Sequence, residues 1–127
     1  MSTRSNIAYV CPVYKTVKTI YCHWDGSPVT MLPILTNHYN DTDKVMELLE
    51  LGDMSSIGPT IDSCVVLENA FQDGEMFNQY NSLQDFFKFV REGVSYVYLF
   101  DRGIWNVLIG ENTEALTEAD KKAIDAY

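Results

Sequence analysis

The sequence predicts an α+β domain: a mainly antiparallel sheet with three to four short helices on one face. Three observations point there. An N-terminal segment and a second near 94–109 place apolar, β-branched and aromatic residues around short polar turns, as β-hairpins do. Other stretches carry apolar residues three or four apart behind capping residues, as amphipathic helices do. The 127-residue length and 46% hydrophobic content suit one core-forming domain, spanning 1–127.

Taken in order, Ile7 to Tyr14 and Thr16 to Trp24 flank Lys15 as an antiparallel hairpin, and Pro12 suggests an edge position or a bulge in the first strand. Asp25-Gly26-Ser27-Pro28 reads as a turn. Leu32, Leu35 and Tyr39 space a short helix over 29–39, with Pro33 near its first turn or a later start. Thr42 is the expected N-cap of the next helix. Asp43 lies in its first turn, Val45, Leu48 and Leu49 form its apolar stripe, and Gly52 stops it. Ile61 to Leu67 could be a strand, 72–75 a turn, and 78–81 a loop. Ser82 opens a helix with Asp85 three residues on, Leu83, Phe86, Phe87 and Val90 buried, and Gly93 at its end. Val94 to Phe100 and Ile104 to Ile109 flank Asp101-Arg102-Gly103 as a second hairpin. Thr117 and Asp120 cap a tail helix ending at Tyr127.

Eighteen acids against nine bases give a net charge of −9. That excludes sequence-independent nucleic-acid binding, which needs a basic face, and an anionic membrane surface as the main partner. No apolar run reaches the roughly 18 residues of a membrane span. The first residues carry no apolar stretch of signal-peptide length, and three cysteines without a CxxC suggest free thiols. The expected location is therefore a reducing cytoplasm. The acidity is concentrated: residues 41–75 hold nine acids and one base. It serves either as a solvated face or as a surface that docks on a basic protein groove, helped by electrostatic steering.

Few residues offer chemistry. Tyr21-Cys22-His23-Trp24-Asp25-Gly26 supplies a thiol, an imidazole and a carboxylate together. On a strand, however, Cys22 and His23 point to opposite faces, so a nucleophilic Cys22 would need His38 instead. The alternative is structural, with the aromatics packing and Asp25 holding the turn. No CxxC or HxxxH spacing marks a metal site, and none is expected. Asp41 with Asp43, and Glu47 with Glu50, fit a solvated helix start and face, where Asp43 favours the dipole. Gly52 to Gly58 lacks the lysine and following helix of a phosphate-binding loop and reads as a helix-stop loop. Tyr96, Tyr98, Phe100 and Trp105 alternate on strands. They are either binding anchors that face outwards or simply good strand formers.

Ile20 to Gly26, Lys44-Val45, Glu47-Leu48, Leu51-Gly52-Asp53-Met54-Ser55-Ser56-Ile57-Gly58, Tyr96 to Phe100 and Trp105-Asn106-Val107 carry a resemblance, as does the opening Thr3-Arg4-Ser5. The chain resembles a family of small phage, prophage and plasmid proteins with a Tyr-Cys-His-Trp-Asp-Gly string followed by a Leu-Gly-Asp-x-Ser-Ser segment. It departs from that pattern after Gly26, where Ser27-Pro28-Val29-Thr30 is shorter and more apolar. The resemblance implies a mobile-element accessory protein in a host bacterium and supplies no catalytic residues.

Three functional expectations follow. The first is a non-enzymatic inhibitor of a host protein, such as a nucleic-acid-handling defence complex of the CRISPR–Cas kind. It would bind through Asp43, Glu47, Glu50 and Asp53, with Tyr96, Tyr98 and Trp105 as anchors, and without a cofactor or direct contact with nucleic acid. The second is a binder of a small nucleotide signal built on His23, Trp24 and Asp25, in which a homo-oligomer could pool the few arginines. The third is an enzyme using Cys22 or His38.

Overall fold

The computed structural model describes residues 3–67, 78–90 and 94–109. The turn expected at 72–75, Gly93 and the tail helix lie outside them. Strands β1 (Ser5–Val10) and β2 (Val17–Cys22) form the first hairpin. Helices α1 (Pro28–His38) and α2 (Thr42–Glu50) follow, then β3 (Met54–Ser56), a 3-10 turn (Ile61–Ser63), β4 (Val65–Val66) and β5 (Asn78–Tyr80). Helix α3 (Leu83–Val90) precedes the second hairpin, β6 (Tyr96–Asp101) and β7 (Ile104–Ile109).

The sheet runs β4-β3-β2-β1-β6-β7, and β5 joins the free edge of β2 beside β3. It is mixed. Both hairpins are antiparallel, but they meet through β1 and β6 in parallel, from Ser5 opposite Tyr96 to Tyr9 opposite Phe100. Strand β3 is likewise parallel to β2 at Cys22–Met54. The α+β class stands, and most pairings are antiparallel, in both hairpins and between β2 and β5 and β3 and β4, but β1–β6 and β2–β3 make the sheet mixed. What the hairpin signals do not contain is the join between them.

Helices cover both faces rather than one. On the first face Ile7, Ile20, Cys22, Tyr98 and Phe100 pack with Leu32 and Leu35 of α1 and Val45, Leu48 and Leu49 of α2. On the second, Ala8, Val10, Val17, Val97 and Leu99 pack with Phe86, joined by Leu83 and Phe87, from α3. Two covered faces explain why β6 is buried at five consecutive residues, because neither side of the strand meets water.

Several local expectations are corrected. The first strand ends at Val10, so Pro12 sits in the hairpin turn, and β1 is central, not an edge. Lys15 takes the positive φ of 61° that closes this turn. Helix α1 starts at Pro28, which leaves Pro33 in its interior, one hydrogen-bond donor short. The N-cap of α2 is Asp41, whose carboxylate accepts the Lys44 N–H at 2.8 Å, and Thr42 is the first helical residue. The segments read as loops at 52–58 and 78–81 carry β3 and β5. Ser82 does cap α3, accepting the Asp85 N–H at 3.1 Å. In the second hairpin Arg102 (φ 51°) and Gly103 (φ 82°) make the two-residue turn that matches strand twist.

Candidate functional site

The Tyr21–Gly26 string forms the corner where β2 leaves the sheet. Asp25 takes a positive φ of 58°, turning the chain back over the start of β1. Gly26 then packs so closely that an added Cβ would lie 2.5 Å from the Thr3 carbonyl oxygen and 2.7 Å from Ser5 Oγ. Its N–H donates to that same Thr3 carbonyl at 3.0 Å, and its own carbonyl accepts the buried Tyr98 hydroxyl at 2.6 Å. Asp25 therefore acts as the turn residue, and only glycine fits behind it.

The Leu51–Gly58 segment locks onto the Tyr21–Gly26 string. The His23 N–H donates to the Met54 carbonyl at 3.1 Å and the Trp24 N–H to the Ser55 carbonyl at 2.8 Å. Gly52 ends α2 with φ 84°. One Asp53 carboxylate oxygen accepts the Tyr21 N–H at 2.9 Å, filling the gap on the β2 edge between β5 and β3. Gly58 lies against Ser63, and its carbonyl accepts the Tyr39 hydroxyl at 2.7 Å. The two strings are one structural unit.

Cys22 and His23 do point to opposite faces. The Cys22 side chain is fully buried on the α1/α2 side, its sulfur 3.4 Å from the Trp24 carbonyl oxygen. Burial pushes its thiol up to about 11, so the protonated thiol is the favoured form at neutral pH. His23 shares a 2.7 Å hydrogen bond through Nδ1 with the Tyr21 hydroxyl and meets the Trp24 indole edge-on at 4.7 Å. Trp24 remains 45% exposed. Cys11, in the first hairpin turn, is partly exposed. The backbone N–H groups of Tyr14 and Val13, then Lys18 and Lys15, hold it below the ordinary thiol value. Sequence reading passed over it, although a lysine four and seven residues on is the available signal.

The aromatics expected to anchor a partner are core residues. Tyr98 is fully buried, Tyr96 and Trp105 nearly so. Parallel pairing with β1 turns Tyr96, Tyr98 and Phe100 under α1 and α2. The Trp105 indole N–H donates to the Tyr39 carbonyl at 2.8 Å, so its polar atom is satisfied internally. Asp53 is likewise committed to the β2 edge, and reversing its charge would damage the fold before it tested a surface.

What remains of the expected partner surface lies on α2. Asp43, Glu47 and Glu50 are exposed while Val45, Leu48 and Leu49 are buried, so the helix separates charge from core cleanly. Its one cation, Lys44, stands 3.8 Å from Glu47, with both side chains about half exposed. Such a pair contributes at most about 1 kcal/mol. Beside this face a hollow of about 310 Å³ opens between the end of α1, α2 and residues 59–62. Among the described residues no helix is long and apolar enough to cross a membrane. Comparison of the chain with family models, curated proteins and solved structures finds no match.

Proposed function

We propose that this chain is a phage or mobile-element accessory protein that binds and inhibits a host protein. It docks the acidic outer face of α2 on a basic, nucleic-acid-handling groove of a defence complex, without chemistry of its own. The observation that carries this reading is the outer face of α2. Asp43, Glu47 and Glu50 take no part in the core, and residues 41–67 hold six acids against one base. Long-range attraction of that kind speeds encounter and is screened by salt.

The test is capture of the host partner by tagged protein, followed by association rates for the purified pair. Rates should fall steeply between about 50 and 300 mM salt, within the range where the Debye length shrinks below about 10 Å. Glu47→Lys with Glu50→Lys should slow association about ten-fold or more. A partner whose association ignores both changes would sink the electrostatic reading.

A second reading is supported by the corner. Trp24 presents an exposed indole braced by His23, the imidazole is fixed by Tyr21, and Arg4 is exposed on β1's approach. An indole and a cation suit a nucleotide. A nucleotide that raises the melting temperature of the wild type, but not of Trp24→Ala, would favour it.

A further inference from the structure

The hollow beside α2 has two kinds of wall. Glu47 of α2 and Asp62 of the 3-10 turn supply carboxylates; Tyr39, Pro59 and Ile61 supply apolar surface. At about 310 Å³ it lies at the small end of ligand pockets, which run from about 300 to 1,000 Å³. We infer that it seats one basic side chain of the partner, an arginine, and so fixes the register of the docked face. This rests on the proposed function, because it assigns a place to one residue of that partner.

Three properties fit an arginine. Its aliphatic stem lies well on apolar surface such as Pro59 and Ile61. Its planar head, once past the stem wall, finds carboxylates from two separate elements, and a guanidinium fork uses carboxylates better than an ammonium does. The charge of the lining favours a cation over an anion, since the carboxylates of Glu47 and Asp62 outnumber the ammonium of Lys44. Lys44 and His38 also line the hollow. At 3.8 Å and half exposed, Lys44 holds Glu47 weakly, so an incoming guanidinium displaces it. Lys44 is thus a competitor for the site, which gives the inference a sign that general acidity does not have.

Amide chemical shifts of the full chain, titrated with N-acetyl-arginine amide, N-acetyl-lysine amide and inorganic phosphate, test it directly. Arginine amide should move the resonances of 59–63 and of α2, lysine amide should move them less, and phosphate should leave them in place. Glu47→Gln and Asp62→Asn should each weaken arginine binding about two- to five-fold, Lys44→Met should strengthen it about two-fold, and Asp85→Asn on α3 should not alter it. All four positions are exposed, so the fold survives each change. Phosphate moving the same resonances, or Lys44→Met weakening arginine binding, overturns the inference. A hexa-arginine peptide separates the two levels. If it binds the α2 face but ignores Glu47→Gln and Asp62→Asn, the hollow falls and the proposed function stands. If it does not bind at all, both fall.

Discussion

The corner at 21–26 and the outer face of α2 reverse what their residue types suggest. The corner holds a thiol, an imidazole, an indole and a carboxylate. Yet Cys22, Asp25 and Gly26 are each accounted for by burial, a positive φ or close packing, and Asp53 across from them by a backbone hydrogen bond. The outer face of α2 holds only three ordinary acids, and the fold uses none of them for packing. A string rich in chemical groups can be architecture, and a plain charged stripe can be what is left for a partner. The comparison is testable because the two regions should respond to substitution on different scales.

The largest effect belongs to Gly26. In Gly26→Ala the new methyl meets the Thr3 carbonyl at 2.5 Å, and that carbonyl is backbone of the segment leading into β1, which cannot swing aside. Overpacking of this kind costs about 1–3 kcal/mol, here at the upper end. Urea unfolding should show it as a lowered midpoint with an unchanged slope. A midpoint at the wild-type value would mean that the corner tolerates a side chain and is not an architectural constraint.

Next comes Tyr98→Phe, which deletes the hydroxyl that donates to the Gly26 carbonyl while keeping the ring in the core. Leaving that carbonyl unpaired should cost about 1–2 kcal/mol. Combined with Gly26→Ala in a double-mutant cycle, the two should be non-additive, since both act through the same contact. Full additivity would separate Tyr98 from the corner.

How much of this was legible follows from what each signal encodes. The hairpins, the stripe of Val45, Leu48 and Leu49, and the Ser82 cap are local patterns, and the structure contains them all. The opposite faces of Cys22 and His23 follow from strand alternation alone. The parallel join of β1 to β6 is not local. It pairs residues some ninety positions apart, and it is that join, with α1 and α2 packed on the same face, that buries Tyr96, Tyr98 and Trp105. β3 and β5 are three residues each, too short for any period to show, and they exist because β2 offers a free edge. Asp53 reads as one more surface acid until that edge is known. The exposed acids of α2 were readable throughout, since opposing faces of a helix are written in its spacing.

Titration gives a smaller and slower readout of the buried side. Burial raises the Cys22 thiol to about 11, and burial followed by the Cys64 contact raises the Tyr39 phenol. A raised value means the folded chain holds its proton more tightly than the unfolded chain. The stabilisation is therefore complete below the unfolded thiol value of about 8.5 and is lost as pH climbs through the folded one. Unfolding free energy should fall between about pH 9 and 11, and Cys22→Ala should flatten part of that fall. In the same pH range alkylation should reach Cys11 first, which is partly exposed and favours its thiolate, and Cys22 last. Stability that rises over this interval, or a Cys22 that alkylates as fast as Cys11, would mean the first core is open.

The smallest effect is the one that isolates the outer face of α2. Glu50→Gln removes a charge from an exposed position with no ion pair among the described residues, and should shift unfolding by no more than about 0.5 kcal/mol. Asp43→Asn should cost slightly more, about 0.3–1 kcal/mol, because Asp43 sits in the first turn where a negative charge meets the helix dipole. Together they remove two charges from a chain of net −9, which eases self-repulsion and offsets part of that loss. Near-neutral stability paired with a slowed association to the proposed partner would place these acids in recognition. A loss of about 2 kcal/mol for the pair would instead show that the face is structural, and the contrast with the corner would disappear.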